Sequence, residues 1–470
     1  MRAEPPAHPY TPDPQILKLS EWLGDPVAAA DFPQTEPRFR NRRWDRAVGL
    51  DGLTDADWVR HFGRFEPLPG NLPQPLALRY HGHQFRHYNP DLGDGRGFTF
   101  AQLRDGANYG QAGRLLDLGT KGSGLTPWSR TADGRLTLKG AVREILATEM
   151  LEALGTYTSK TFSVIETGEA LMRGDEPSPT RSAVLVRLSH GHIRIGTFQR
   201  LAAFELKEEM QELIAYCLAE FPGPFPAEDV PGSDDPAAIL FHQVVERLAD
   251  LAASYMVAGF VHGVLNTDNM NVTGESFDYG PWRWLPRWDP NFTAAYFDEQ
   301  GLYAFGRQAE AIHWNCAQLA IALRLLVDAP PLVAALERFP RLYHAAMARR
   351  FCWRLGVASN GTEADMRLIA AAETEMKDRG TGPDAFFFAH RGGRDAAGAW
   401  AEALTGYEAL PSDHPYWAEE APQAMLIDEV EAIWTAIAEH DDWAPLQTKL
   451  AALRRMGDAL GEPLLPAGHG

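Results

Sequence analysis

The order in which strand-like and helix-like patterns follow one another is the feature that most constrains the fold of this chain. Between residues 80 and 198, short runs with strand composition alternate with glycine-rich turns, and one helical pattern at 138–154 interrupts them. The strand-like runs are residues 98–103, 115–118, 162–166, 183–188 and 192–195. From about residue 201 the pattern becomes helical, with long apolar-periodic stretches at 237–256 and 308–327. A strand-rich unit therefore precedes a helix-rich unit.

This order predicts an α+β fold with the layout of a two-lobed, protein-kinase-like structure. Residues 1–79, rich in proline and polar residues with one helix-like stretch at 15–23, are predicted to form an N-terminal extension that packs on the core. We expect residues 80–200 to form a strand-rich N-terminal lobe and residues 201–470 a mainly helical C-terminal lobe. The polar segment 378–397, rich in Gly and Arg, is the best candidate for a mobile loop in the second half.

Composition excludes several classes of protein. Apolar residues make up 45% of the 470 residues, which is enough for a large core and excludes disorder over most of the chain. The 44 Lys and Arg against 63 Asp and Glu give a net charge of −19, which argues against nucleic-acid partners because phosphate neutralisation needs a basic face. Three cysteines without a CxxC pair argue against a disulfide framework and fit a reducing compartment. Without a signal-like N-terminus or a run of about 20 apolar residues, we expect a cytoplasmic protein with no membrane partner.

The most informative motif is the polar loop after the first long apolar stretch of the helical half. Kinase-like enzymes use a His-x-Asp catalytic loop, an Asn five residues after that Asp, and then an Asp-Phe-Gly whose Asp holds the metal. Counting from His262, these positions fall on Asn269 and Asp278. The usual base position falls on Val264, which cannot accept a proton, but a carboxylate reappears at Asp268. Such oxygens suit Mg²⁺ or Mn²⁺ bridging phosphates; the alternative interpretation is a polar loop that caps a turn.

Two glycine-rich segments of the strand-rich unit are candidates for binding phosphate. Residues 91–97 (DLGDGRG) combine the fixed charge of Arg96 with glycines, whose backbone N–H groups can approach a phosphate closely. Residues 118–124 (LGTKGSG) place Lys121 at a strand end, but their spacing is not that of a Walker A motif. The alternatives are an ordinary hairpin turn for the first segment and a surface lysine in a flexible loop for the second.

Further charged residues extend this candidate phosphate site. A kinase-type strand lysine pairs with a glutamate on the following helix, and Glu144 and Glu149 are the candidates to pair with Lys121. Helix phase places Glu149 nearer the apolar stripe, but the sequence by itself leaves the choice open. Arg187 and Arg194 flank a turn and could neutralise a second phosphate; salt bridges to an acidic surface are an equal alternative.

The chain resembles the selenoprotein O family of pseudokinase-fold protein adenylyltransferases. The motifs that carry the resemblance stand in the expected order and span roughly half of the chain. They are residues 80–85 (YHGHQF), 92–96 (LGDGR), 121–130 (KGSGLTPWSR), 133–135 (DGR), 143–149 (REILATE), 189–196, 262–269, 278–281 (DYGP) and 291–292. The resemblance implies a kinase-like fold that binds ATP in a reversed orientation and transfers AMP, rather than phosphate, to Ser, Thr or Tyr hydroxyls of proteins, releasing pyrophosphate.

The same resemblance implies roles for individual residues. Asp268 would be the catalytic proton acceptor, and Asn269 and Asp278 would hold Mg²⁺ or Mn²⁺. Glu144 would pair with Lys121, against the preference from helix phase. The positions that match the family's nucleotide-binding residues are Gly93, Gly95, Arg96, Lys121, Asp133, Gly134, Glu144, Arg187, Arg194 and Asp278.

The sequence also departs from the family's pattern. The stretch between Gly95 and Lys121 carries extra residues near 105–113, and the last third of the chain matches the family poorly. The C-terminus has no cysteine or selenocysteine of the kind that some members use for redox regulation. Two alternatives to an adenylyltransferase remain open. The Asn269–Asp278 spacing also fits a kinase-like phosphotransferase, and the missing base at position 264 fits a nucleotide-binding pseudokinase scaffold without turnover.

Overall fold

The computed structural model describes residues 8–106, 113–174, 176–222 and 234–463, which form a mixed fold of helices and antiparallel sheet. The strands are β1 (Gly24–Pro26), β2 (Glu36–Arg40), β3 (Leu76–Leu78), β4 (Gly82–Gln84), β5 (His87–Asn89), β6 (Thr99–Arg104), β7 (Leu115–Lys121), β8 (Leu136–Thr137), β9 (Lys160–Leu171), β10 (Thr180–Ser189), β11 (Phe260–Val261) and β12 (Arg283–Trp284). The helices are α1 (Ser20–Leu23), α2 (Arg42–Ala47), α3 (Asp55–Phe62), α4 (Leu138–Ala153), α5 (Ile195–Ala203), α6 (Lys207–Glu220), α7 (Pro236–Ala258), α8 (Gln308–Leu323), α9 (Ala329–Leu355), α10 (Thr362–Arg379), α11 (Pro383–Ala389), α12 (Gly398–Ala403), α13 (Ile427–His440) and α14 (Ala444–Leu460). The predicted α+β class is confirmed.

Eight of the strands form one antiparallel sheet. They run in the order β1–β3–β6–β7–β10–β9–β2, and β8 pairs with β10 beside this path. The register places Lys121, the last residue of β7, opposite Leu185 of β10. β1 and β2 both come from the predicted N-terminal extension and stand at the two ends of the order. The extension is therefore built into the sheet rather than lying outside it.

Helix α4 packs between the sheet and the C-terminal helices. It begins after Thr137, whose side-chain oxygen accepts a hydrogen bond from the backbone N–H of Gly140. Its predicted apolar stripe is buried, and the helix contacts β9 and β10. A second face is packed by α14, where a Cβ at Gly457 would lie 3.2 Å from the Ala153 Cα. Burial from two sides explains why most residues of α4 are buried, including two glutamates.

The second half of the chain is organised around α7. Asp235 caps this helix by accepting hydrogen bonds from backbone N–H groups of the first turn, and Gly259 ends it in the left-handed conformation with φ 69°. α7 packs against α8 and α9. Its buried Leu248 belongs to the same apolar cluster as Leu185 of the sheet, so one core joins both halves. After β11 the chain enters the polar loop that carries the candidate catalytic residues.

Most predicted elements are confirmed with small shifts at their ends, but the strand predicted at 192–195 is wrong. In the described chain this stretch forms only a single bridge, between Arg194 and Asn271, because α5 begins at Ile195. The insertion expected near 105–113 lies mostly outside the described residues. Of the helices described, none is at once long enough and apolar enough to cross a membrane.

The prediction of a mobile loop at 378–397 is also wrong. This segment contains the end of α10, all of α11 and a short 3-10 helix. Phe386 and Phe387 are buried together with side chains of α9 and α10. The Gly- and Arg-rich composition suggested a loop, but the adjacent run of phenylalanines supplies enough apolar surface to order the segment.

Candidate active site

Lys121 lies at the centre of a buried group of charged residues. Its Nζ is 2.5 Å from Glu144 Oε1 on α4 and 2.9 Å from Asp278 Oδ1 in the loop before β12. Glu144 is thus the helix glutamate that contacts Lys121. The helix-phase preference for Glu149 is wrong, because the two oxygens of Glu149 accept hydrogen bonds from Arg454 of α14, each at 2.9 Å.

Asp278 faces several cations. Besides the contact with Lys121, its Oδ1 lies 3.7 Å from Arg187 Nη1. Burial by itself would raise the pKa of the Asp278 carboxyl, but Lys121, Arg187 and Arg96 outweigh burial and hold this pKa well below its ordinary value. The carboxylate is therefore ionised at neutral pH. Its backbone adopts φ 62°, a left-handed conformation that is uncommon for a residue other than glycine.

The two arginines predicted to bind phosphate stack on one aromatic ring. Their Cζ atoms lie 5.1 Å (Arg187) and 5.0 Å (Arg194) from the centroid of Phe277, and Arg194 lies 4.3 Å from the centroid of Tyr80. Stacking holds a guanidinium without using its N–H groups. Within the described chain, Arg187 Nη1 and Arg194 Nε are buried without a hydrogen-bond partner, which leaves donors for an anion. Both side chains are buried, so the alternative of surface salt bridges is wrong.

The glycine-rich segment at 91–97 packs on the strand end that carries Lys121. The backbone N–H groups of Gly122 and Ser123 donate to the Arg96 carbonyl oxygen at 2.6 and 3.3 Å. Asp94 Oδ1 accepts a hydrogen bond from Arg194 Nη2 at 3.1 Å. Segments that are far apart in sequence are thus tied together around the charged group of Lys121 and Asp278, which is called the cleft below.

Two glycines of this segment are required by packing. A Cβ at Gly93 would lie 2.3 Å from the ring of Trp128, and a Cβ at Gly95 would lie 2.9 Å from the Trp128 carbonyl oxygen. Distances below 3.0 Å force the surrounding atoms to move. Close packing on Trp128 therefore accounts for both glycines in the described structure, whatever they contact in a nucleotide complex.

Asp133 and Gly134 stand apart from the charged group. Asp133 accepts a hydrogen bond from Arg173 Nη1 at 2.8 Å, and the Gly134 carbonyl accepts one from the backbone N–H of Gly124 at 3.2 Å. Gly134 has φ 70°, which favours glycine. Over the part of the chain described, no hydrogen bond or ion pair joins these two residues to Lys121.

Asp268 lies in a short 3-10 helix, Thr267–Asn269, with only 8% of its surface exposed. Its Oδ2 accepts a hydrogen bond from Gln84 Nε2 at 3.4 Å, whereas Oδ1 is buried without a hydrogen-bond partner among the described residues. Burial raises the pKa of the Asp268 carboxyl to about 6, against the attraction of Arg194. Arg194 also donates to the Asp268 carbonyl oxygen at 3.3 Å. A buried carboxyl with a raised pKa is suited to accept a proton.

Asn269 and Asp278 fit a hard divalent cation. Asn269 Nδ2 donates to the Val264 carbonyl oxygen at 2.9 Å, so the amide group presents its oxygen to other partners. An amide oxygen and an ionised carboxylate suit Mg²⁺ or Mn²⁺, which usually keep water and phosphate oxygens as their other ligands. In the residues that the structure describes, no group of three or more His, Cys, Asp or Glu side chains could hold a metal ion.

Sequence reasoning assigned no role to four residues that shape the site, namely Tyr80, Gln84, Asp94 and Phe277. Asp94 stands between two predicted glycines, and Phe277 directly precedes Asp278. Tyr80 and Gln84 lie in the YHGHQF motif, which contributes to the family resemblance. Their positions next to predicted site residues or within a matching motif could have identified these four residues. Their contacts, however, depend on the tertiary fold.

Comparison with known proteins adds independent findings. The family model described as "Protein adenylyltransferase SelO" matches residues 8–402. A relative from Gloeobacter violaceus, described as "Protein nucleotidyltransferase YdiU", is 41% identical over 471 residues, covering 94% of this chain and 95% of its own. Relatives with the same description from Synechocystis sp. and Synechococcus elongatus are each 40% identical and cover 94% and 97% of this chain, and 98% and 96% of their own lengths.

Proposed function

The chain belongs to the protein adenylyltransferase SelO family, and we propose that the cleft around Lys121 and Asp278 is where it transfers AMP. It is a nucleotidyltransferase with ATP as substrate and proteins as acceptors. We propose Ser, Thr or Tyr hydroxyls as the acceptor groups. The proposed fold is kinase-like and two-lobed, with a nucleotide-binding N-terminal lobe at 80–200, a C-terminal lobe at 201–470 and an extension at 1–79. The net charge of −19 supports the absence of nucleic-acid partners.

One observation carries the assignment of this cleft. Three separate parts of the chain bring four cations together around the carboxylate of Asp278. The cations are Arg96, Lys121, Arg187 and Arg194. Such a group offers positive charge to a triphosphate with its metal ion. Lys121, Arg187 and Arg194 are buried, which strengthens their electrostatic interactions, whereas Arg96 is exposed.

Three of the four cations have a support that fits phosphate binding. Lys121 is held by Glu144, as the strand lysine of kinase-like enzymes is held by a helix glutamate. Arg187 and Arg194 are held by the ring of Phe277, which leaves N–H groups for phosphate oxygens. Because these side chains are held in place before the substrate binds, they need little reorganisation during the reaction.

Asp268 is the proposed general base. The acceptor hydroxyl oxygen attacks the α-phosphorus of ATP, and the new O–P bond forms as the bond from this phosphorus to the bridging oxygen of the β-phosphate breaks. The hydroxyl proton passes to the Asp268 carboxylate, and pyrophosphate leaves. The buried position of this carboxyl, with one oxygen lacking a hydrogen-bond partner in the described structure, supports this role.

Asn269 and Asp278 are the residues that would hold Mg²⁺ or Mn²⁺. When bound, such an ion supplies positive charge that offsets the charge developing on the departing pyrophosphate. Lys121 contacts Asp278 in the described structure, so it keeps that carboxylate in place beside the proposed nucleotide site.

Transfer of label from ATP tests this proposal. The protein is incubated with α-labelled and with γ-labelled ATP in separate reactions containing Mg²⁺ or Mn²⁺. We expect the α label to reach protein and the γ label not to do so, and we expect Asp268→Ala to abolish the transfer. Transfer of the γ label alone would establish a phosphotransferase instead, and ATP binding without any transfer would establish a scaffold.

A further inference from the structure

The hairpin of β4 and β5 binds directly to the loop that carries Asp268. The backbone N–H of His83 donates to Thr267 Oγ1 at 2.7 Å, and that of Phe85 donates to Asn266 Oδ1 at 3.1 Å. Among the strands that the structure describes, these two pair only with each other, in a sheet separate from the main one. The YHGHQF motif thus has a specific partner in the folded protein, which is the proposed catalytic loop.

Gln84 of this hairpin reaches the Asp268 carboxyl with a defined amide orientation. Asn89 Nδ2 on β5 donates to Gln84 Oε1 at 3.3 Å, so the oxygen of the Gln84 amide is used by the hairpin. The amide nitrogen then faces Asp268 and donates to Oδ2 at 3.4 Å. The other carboxyl oxygen, Oδ1, is buried and without a hydrogen-bond partner in the described chain.

Gly82 leaves just enough room for this arrangement. A Cβ at this position would lie 3.0 Å from Asp268 Oδ1 and 3.2 Å from Asp268 Cβ. Contacts at this distance are tighter than nearly all real Cβ contacts, so the carboxyl would have to move. One strand therefore makes room for Oδ1 through Gly82 and donates a hydrogen bond to Oδ2 through Gln84.

We propose that Gln84 is a positioning residue that holds Asp268 Oδ2, so that Oδ1 is the oxygen that accepts the hydroxyl proton. The inference rests on the proposed role of Asp268 as general base. Gln84 touches neither phosphate nor acceptor in this role; it restricts rotation of the carboxyl. A general base must sit within hydrogen-bond reach of its proton, and a misplacement of about 1 Å can cost about 100-fold in rate.

Two variants of Gln84 and one matched control test the role. Gln84→Ala removes the donor, and Gln84→Glu keeps the shape but places a carboxylate against Asp268. We expect kcat for transfer of the α label to fall about 10- to 100-fold in Gln84→Ala and further in Gln84→Glu, because like charges repel. KM for the acceptor protein and the unfolding temperature should stay near wild type. The control, His87→Ala, removes an exposed side chain paired across the same hairpin and should keep wild-type kcat.

The outcomes separate this inference from the proposed function. Wild-type kcat in Gln84→Glu would overturn the positioning role, as would a loss that His87→Ala shares or that follows the unfolding temperature. Rate losses explained entirely by weaker binding of a non-hydrolysable ATP analogue would also overturn it. Asp268→Ala is measured alongside. If Asp268→Ala retains activity, the assignment of Asp268 as general base is wrong. If Asp268→Ala is inactive but the Gln84 variants are unaffected, only the positioning role of Gln84 is wrong.

Discussion

At the scale of single residues, the main feature of the cleft is that its buried cations and carboxylates pair with one another. The Lys121 ammonium is almost fully buried and contacts two carboxylates, those of Glu144 and Asp278. Removing one partner of a buried ion pair usually costs far more than an exposed pair contributes, because the remaining charge stays out of water. Because Lys121 has two carboxylate partners, Glu144 can hold Lys121 while Asp278 binds another cation.

Replacing Glu144 tests the pairing of Lys121. Glu144→Gln keeps the size of the side chain but removes its charge, so the ammonium is expected to shift toward Asp278 and away from phosphate. We expect kcat for AMP transfer to fall about 10- to 100-fold at saturating ATP. The matched variant Glu149→Gln lies on the same helix but contacts Arg454, and it should keep kcat near wild type at a temperature where it is folded. Equal losses in both variants would contradict the assignment.

A buried carboxyl outside the cleft predicts a pH dependence of stability. Burial raises the pKa of Glu275 to about 7, although Lys160 and the backbone N–H of His190 oppose the shift. Because this folded pKa lies above the unfolded value, the folded state retains the proton as pH rises from about 4.5 to 7, and the contribution to stability falls over that window. Above pH 7 the penalty is complete and constant.

Glu275→Gln removes this titration. Gln can still accept the hydrogen bond that His190 N–H donates at 2.8 Å. From pH 5 to pH 8, we expect the free energy of unfolding of the variant to rise relative to wild type by on the order of 1–3 kcal/mol. Urea denaturation at fixed ionic strength measures this difference at each pH. A constant difference between the two proteins across the range would rule out the shift.

At the scale of elements, helix α4 links the cleft to the C-terminal end of the described chain. Its Glu144 enters the cleft, and its Glu149 binds Arg454 of α14. Lys139 near its start binds Glu431 of α13. In kinase-like enzymes the position of the corresponding helix controls the lysine–glutamate pair. Helices α13 and α14 therefore hold the helix that carries Glu144.

Arg454→Ala tests this support. It leaves the buried carboxylate of Glu149 with Asn41 as its remaining hydrogen-bond donor in the described structure. We expect the free energy of unfolding to fall by about 1–3 kcal/mol, since Arg454 is partly exposed and water can replace part of the interaction. The control is the neighbouring Arg455→Ala, whose more exposed side chain pairs with Glu419 and should cost about 0.5 kcal/mol or less. Similar losses in the two variants, measured by urea denaturation, would exclude a special role for Arg454.

At the scale of the whole molecule, the charge distribution is uneven. The chain carries a net charge of −19, but Arg96, Lys121, Arg187 and Arg194 gather around one cleft. Cations gathered in one place can bind a compact anion in an acidic protein, whereas a negative net charge disfavours long polyanions. Acceptor proteins would meet the same field, so association with basic acceptor surfaces should be faster at low ionic strength.

Metal removal gives a prediction at this scale. The described chain has no group of three or more His, Cys, Asp or Glu side chains that could hold a metal ion, and the metal ion of the proposed reaction accompanies the nucleotide. We expect excess EDTA to abolish transfer of the α label and leave the unfolding temperature of the nucleotide-free protein unchanged. Added Mg²⁺ or Mn²⁺ should restore transfer. A marked fall in unfolding temperature with EDTA would reveal a structural metal instead.

Several parts of the site could be predicted because their signals are local in sequence. The spacing from His262 to Asn269 and Asp278 identified the polar loop, and glycine-rich turns marked the segments that pack on Lys121. The strands and α4 followed from their apolar periodicity. The error at 192–195 arose at a short apolar run, where periodicity does not separate a strand from the start of a helix.

The sequence by itself determined the main strands and the long helices, the residue types of the polar loop and the family that the motifs resemble, because these depend on short-range patterns. Only the tertiary structure decided that Glu144 rather than Glu149 meets Lys121, and that Gln84 reaches Asp268 across 184 positions. It also decided that Arg454 binds Glu149 across 305 positions. Such contacts depend on how whole elements pack, and no local periodicity encodes which of two buried glutamates faces the sheet and which faces a helix.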